Sequence, residues 1–151
     1  MKALGVICGK ASIGYTLLDG DAAAPMEEEE LIVPGSRTAR GEQLAWLLDE
    51  IEQVIRRLQP DVVWMKVAGA GKFKASRERY EVEGVVQIAG HHLGLECRAK
   101  GSEQLRVAAG VDKAAGAYNA LLEDPDIAAR GKKHDRSERF LIARIALTSR
   151  G

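Results

Sequence analysis

Pro60-Asp61-Val62-Val63-Trp64-Met65-Lys66 is the stretch that decides the fold. Its centre, Asp61 to Met65, is a short apolar run of strand length. It follows the clearest helix in the chain: Leu44, Leu47, Leu48, Ile51, Val54, Ile55 and Leu58 share one helical face, Glu52 and Arg56 can pair one turn apart outside it, and Pro60 ends it. A strand reached through a crossover helix runs parallel to a strand already in the sheet. Upstream, residues 3–8, 11–18 and 29–33 read as three strands separated by Gly9, by Asp19-Gly20-Asp21 and by Pro34-Gly35, spacing that predicts an antiparallel meander. The 60–66 stretch therefore turns a plain antiparallel sheet into a mixed one.

Downstream comes a Gly-rich, basic loop, Val67 to Ser76, then a helix from Arg77 to His92 with Val82, Val85, Val86, Ala89 and Leu93 on one side. Leu95 to Arg98 reads as a fifth strand. Ser102 is placed to cap a short helix that Gly110 stops. Further helices are expected over Asp112–Leu122 and Arg136–Thr148, with a loop or short helix over Pro125–Lys133. The order β-β-β-α-β-α-β-α with helical material at the end predicts one α/β domain over residues 1–151. Its expected architecture is a five-stranded mixed sheet, three antiparallel strands then parallel ones, with helices on both faces.

Composition bounds the function. The 151 residues carry 22 Lys plus Arg against 22 Asp plus Glu, and 46% are hydrophobic. That is globular composition, and zero net charge argues against coating nucleic acid or membrane with the whole surface. Two cysteines, Cys8 and Cys97, make neither a disulfide framework nor a zinc pattern and read as small buried thiols. No signal peptide or transmembrane run is visible, so a cytoplasmic protein with no membrane partner is expected.

Three stretches carry a resemblance. Leu4-Gly5-Val6-Ile7-Cys8-Gly9 followed by Gly14-Tyr15, the 60–66 stretch, and Asp135-Arg136-Ser137-Glu138 leading into Arg139-Phe140-Leu141-Ile142-Ala143-Arg144 resemble the first strand, the fourth strand and the last helix of RuvC-like Holliday junction resolvases, within the RNase H-like superfamily. The resemblance spans nearly the whole chain. It implies a carboxylate cluster holding two Mg²⁺ ions, which activate water and stabilise the leaving oxygen. Here the departures are decisive. Ile7 stands at the position of the first-strand Asp and Lys66 at that of the fourth-strand Glu, leaving Asp135 and Glu138 as the acids. Two carboxylates beside an ammonium do not make a two-metal site. The expectation is a fold that has lost its nuclease chemistry and needs no cofactor, with the Lys66 charge neutralising Asp135 and Glu138.

The remaining candidates are weighed on their chemistry. Gly69-Ala70-Gly71-Lys72 fails as a phosphate loop, because Phe73 stands where a Ser or Thr would bind Mg²⁺. Lys66, Lys72, Lys74, Arg77 and Arg79 surround that aromatic, and such a set can hold a nucleic-acid backbone while Phe73 stacks on bases. Arg130, Lys132, Lys133, Arg136 and Arg139 form a second basic cluster. Both flank the former active site if the resemblance holds. His91, His92 and Cys97 lack a fourth ligand at sensible spacing, and Cys8, with His134 as its one conceivable base, reads better as inert. Trp46 and Trp64 read as packing residues.

The leading expectation is thus a nuclease-inactive domain that binds nucleic acid, DNA in preference to RNA, or serves in a nucleic-acid complex. One alternative is an Mg²⁺-dependent nuclease whose site is rebuilt from Asp135, Glu138, Asp112 and Glu81 or Glu83. Another is a protein-interaction module: RuvC-like proteins form homodimers, and the Val82–Leu93 helix carries apolar residues suited to an interface.

Overall fold

The computed structural model describes residues 1–20, 24–68, 76–112, 116–128 and 134–149, with the backbone alone for 134 and 135. Strands β1 (Lys2–Cys8), β2 (Ser12–Asp19) and β3 (Glu27–Ile32) precede helix α1 (Arg40–Leu58) and strand β4 (Val62–Lys66). Helix α2 (Arg77–His92) and strand β5 (Cys97–Lys100) follow, then α3 (Ser102–Ala108), α4 (Ala117–Glu123), α5 (Pro125–Ala128) and α6 (His134–Thr148). The sheet order is β3-β2-β1-β4-β5. The first three strands pair antiparallel, whereas β4 and β5 join parallel to β1 and to each other, as the 60–66 stretch predicts.

Alternation along the central strands sorts the core into two layers. Leu4, Val6 and Cys8 of β1 and Val63 and Met65 of β4 face α1 and α2, where Leu47, Ile51, Val82 and Val86 cover them. Ala3, Ile7, Val62 and Trp64 face the other way, under α6 and the short helices. Two glycines bring α6 unusually close. A Cβ at Gly5 would collide with the Arg139 carbonyl oxygen and lie 2.8 Å from Ala143 N; one at Gly14 would enter the Arg139 guanidinium. A strand glycine marks such an approach of another backbone.

Several boundaries differ from expectation. The fifth strand runs Cys97–Lys100 rather than Leu95–Arg98, because Leu95 N–H closes the end of α2 by donating to Gly90 O at 2.8 Å. Ser102 lies inside its helix and Gly101 is the N-cap; Gly101 N–H donates to the Gln104 side-chain oxygen at 2.9 Å. The helix expected from Asp112 begins only at Ala117, after Gly116 takes a left-handed conformation at φ 73°. The apolar face of α2 is used internally: Val82, Val85, Val86 and Ala89 are buried against the chain's own sheet and α1, so they do not offer an interface. The large apolar residues that α2 leaves exposed are Tyr80 and Ile88, with open space at Gly84 between them. Cys8 is buried and Cys97 half-buried. Among the described residues no helix is long and apolar enough to cross a membrane.

Candidate functional site

The site lies where β1 and β4 end side by side. Parallel pairing sets Ile7 against Lys66, and both point to the α6 face. Lys66 is the last residue of β4, so its stem leaves the sheet at its carboxyl edge. Glu138 comes from the second turn of α6, which Gly5 allows to lie directly on β1. The result is a short ion pair: Lys66 Nζ donates to Glu138 Oε1 at 2.5 Å, with the side chains 21% and 5% exposed. The ammonium also sits 5.0 Å from the centre of the Tyr118 ring, in cation–π range. Burial, and after it the Glu138 carboxylate, raise the Tyr118 phenol above its ordinary pKa, and its hydroxyl finds no hydrogen-bond partner among the described residues. A carboxylate this buried is tolerable because a cation of fixed position balances it.

On the opposite face of β4, Glu83 of α2 forms a second buried acid. Its Oε2 accepts from Ala68 N at 3.1 Å and from Arg79 Nε at 3.2 Å. Cys8 lies near it, with Sγ 3.7 Å from Met65 Sδ. Burial first, then the Glu83 charge, push the Cys8 thiol far up, so it is held as the neutral thiol and not as a nucleophile. Cys97 is likewise pushed up to about 12, chiefly by burial.

Of the residues singled out in the sequence, Ile7, Lys66 and Glu138 come together. Arg77 and Arg136 are exposed in the first turns of α2 and α6. Arg79 is partly committed to Glu83. Arg139 leaves the second basic cluster: it is buried over Gly14 of β2, because the glycine there opens a slot for its guanidinium. Lys72, Phe73, Lys74, Arg130, Lys132 and Lys133 lie outside the described residues, as do the side chains of His134 and Asp135. Among the described residues, the acids of the alternative metal site each have a separate setting. Glu81 pairs with Arg40 at 3.0 Å, Glu83 with Arg79 and Glu138 with Lys66, and Asp112 is exposed. Among the described residues no three His, Cys, Asp or Glu side chains are grouped to hold a metal ion. His92 meets Glu52 at 2.7 Å across α1 and α2, a structural tie. Sequence reasoning missed Tyr118, which sits on a short helix with no local signal. It also missed the burial of Arg139, for which the strand glycines Gly5 and Gly14 were the available sign.

The mixed sheet, the crossover helices and α6 lying over β1 and β4 are the RNase H-like fold in its RuvC-like form. Among solved structures the chain is similar to Thermus thermophilus RuvC, with a TM-score of 0.72 and 19% identity over 98% of this chain and 92% of that one. It is similar also to T. thermophilus RuvC in complex with Holliday junction substrate, with a TM-score of 0.71 and 16% identity over 98% and 92%. The yeast mitochondrial Holliday junction resolvase Ydc2 matches with a TM-score of 0.62 and 12% identity over 97% of this chain and 77% of that one. No protein-family model matches the sequence, and no curated protein does.

Proposed function

We propose that this chain is a single RuvC-like domain that binds nucleic acid, DNA in preference to RNA, and does not cleave it by metal-dependent hydrolysis. The observation that carries this reading is the Lys66–Glu138 pair at 2.5 Å at the joint end of β1 and β4. In the RuvC-like pattern that end is acidic and collects divalent cations. Here a covalently attached ammonium neutralises Glu138, one of the two acids that remain in the pattern, and Ile7 beside it supplies no oxygen ligand. Hard cations need several oxygens, and an ammonium among them repels the ion. The residues present therefore do not fit a two-Mg²⁺ site, and no catalytic step is assigned to them.

Nucleic-acid binding is supported by the likeness to a RuvC solved with Holliday junction substrate and by the basic residues that follow β4 and precede α6 in the chain. Arg77 and Arg136 are exposed in the first turns of α2 and α6. Lys72, Phe73, Lys74, Arg79, Lys132 and Lys133 complete the proposed interface. Homodimer formation belongs to the same reading, with Tyr80 and Ile88 flanking Gly84 as the surface available for it. A cytoplasmic setting accords with it.

Two measurements test the proposal. Labelled branched DNA is titrated with the chain at several salt concentrations, and binding that weakens steeply with salt is expected. Calorimetry with Mg²⁺ and Mn²⁺ is expected to give no binding to the native chain, whereas Ile7→Asp with Lys66→Glu is expected to gain a divalent-cation site. Robust Mg²⁺-dependent cleavage by the native chain would overturn the reading, and an absence of DNA binding at low salt with a stable oligomer would favour an interaction module instead.

A further inference from the structure

The second buried carboxylate, Glu83, has no part in the proposal above, yet it bonds residues on both sides of the basic segment in the chain. Ala68 is the last described residue before residues 69–75 and Ser76 the first after them. Glu83 Oε2 takes the Ala68 N–H at 3.1 Å and Arg79 Nε–H at 3.2 Å. Ser76 caps α2 by accepting from Arg79 N–H at 3.3 Å, so Arg79 belongs to the turn that leaves the segment. The same turn is clamped from α1, where Arg40 donates to Glu78 O at 2.8 Å and to Glu81 Oε1 at 3.0 Å. One carboxylate oxygen thus ties the residue entering the basic segment to the turn leaving it.

Arg79 is the more informative partner. A guanidinium carries five N–H donors in a planar fork. The bond from Nε uses one of them, and the side chain is 26% exposed while Glu83 is 5% exposed. Burial of Glu83 makes its cation hard to withdraw, because the carboxylate would be left without balance. The geometry points to Glu83 as a positioning residue of the nucleic-acid interface: it holds Arg79 by one edge, so that the outer N–H groups meet a backbone phosphate without a search through rotamers. This rests on the nucleic-acid reading above and adds to it which buried group orients the contact. Ordering a long side chain in advance removes a cost that binding otherwise carries, an effect of about three- to tenfold in affinity.

The test uses the full chain and a fluorescently labelled four-way DNA junction, with anisotropy read from about 50 to 200 mM salt. Arg79→Gln is expected to weaken binding and to flatten the logarithmic salt slope by about one unit, as loss of one phosphate contact does. Glu83→Gln is expected to weaken binding about three- to tenfold at unchanged slope, since the arginine charge stays. The double variant is expected to bind no more weakly than Arg79→Gln, because the carboxylate acts through the arginine. If Arg79→Gln does not fold, Arg79→Lys replaces it; that variant keeps the charge but lacks the fork, and weaker binding at unchanged slope is expected. Native-like binding by the single variants, or a double variant weakened by the product of the two effects, overturns the inference while the nucleic-acid reading stands. A native chain that binds no DNA overturns that reading, and this inference with it.

Discussion

Two buried carboxylates flank the end of β4, and they are balanced in opposite ways. Glu83, under α2, pairs with Arg79 one helical turn away and with the Ala68 amide. Glu138, under α6, pairs with Lys66, which is 72 residues distant in the chain. The first arrangement is a property of one helix and of the chain entering it. The second exists only because a strand and the last helix meet across the sheet. The same chemistry, a buried acid with a fixed cation, is thus built once from local spacing and once from the fold. The contrast implies that α6 docking governs the Lys66 site and leaves the Glu83 site largely untouched.

The strongest way to break the contrast is Gly5→Ala. Its methyl meets the Arg139 carbonyl and Ala143 N, so α6 must lift from β1 and carry Glu138 with it. A stability loss of about 3 kcal/mol in urea unfolding is expected, of the size that forced overpacking produces. Amide exchange is expected to quicken in α6 before it does in α2. Equal protection of both helices in the variant would erase the distinction drawn here.

Removing the cations compares the pairs directly. Lys66→Ala leaves Glu138 buried with its ammonium gone, and a loss of about 2 kcal/mol is expected, less than for a fully buried pair because a fifth of Lys66 meets solvent. Arg79→Ala should cost less, about 1 kcal/mol, because the Ala68 amide still bonds Glu83. Chemical denaturation of the two variants side by side decides the order, and a larger loss at Arg79 would reverse the assignment of the Lys66 pair as the more demanding one.

The smallest effect belongs to a half-buried carboxylate with an exposed partner. Glu27 on β3 accepts from Tyr15 Oη at 2.6 Å and takes both Arg57 amino groups at 2.8 Å. Arg57, then Tyr15, hold its carboxyl down at about 2 from an ordinary value of 4.5. A depressed acid stabilises the folded state above its ordinary pKa and loses that contribution as pH falls toward the folded value. The melting temperature of the native chain should therefore exceed that of Glu27→Gln by a few degrees at neutral pH, and the gap should close between about pH 4.5 and pH 2. A gap that persists at the acid end would show that packing, and not charge, supports this tie.

Much of the fold was legible in the chain. The apolar runs of β1 and β4, the helical face of α1, and the turns at Gly9 and Pro34-Gly35 carry their own periods and stops, and local spacing is enough to read them. The weaker elements were misplaced where a backbone hydrogen bond invisible to the apolar pattern set the boundary, as at Leu95, whose N–H closes α2 on Gly90 O instead of opening β5. Site residues divide the same way. Ile7, Lys66 and Glu138 were singled out by the resemblance to RuvC-like motifs, and Glu83 with Arg79 has the i,i+4 spacing of a helical pair. Tyr118 was not legible, since nothing near it in sequence foretells a ring beneath Lys66. The zero net charge likewise hid its own distribution, with acids gathered in Glu27–Glu30 and bases around Arg77 and Arg136.

By itself, then, the sequence determined the order of the elements and the mixed character of the sheet, because each is written in neighbouring residues. Only the tertiary structure decided that Arg139 is a core residue over Gly14 and that Glu138 reaches Lys66 beside Tyr118. Those outcomes depend on how closely α6 lies on β1, and that distance is set by the absence of two Cβ atoms at Gly5 and Gly14, on strands far from the helix in the chain.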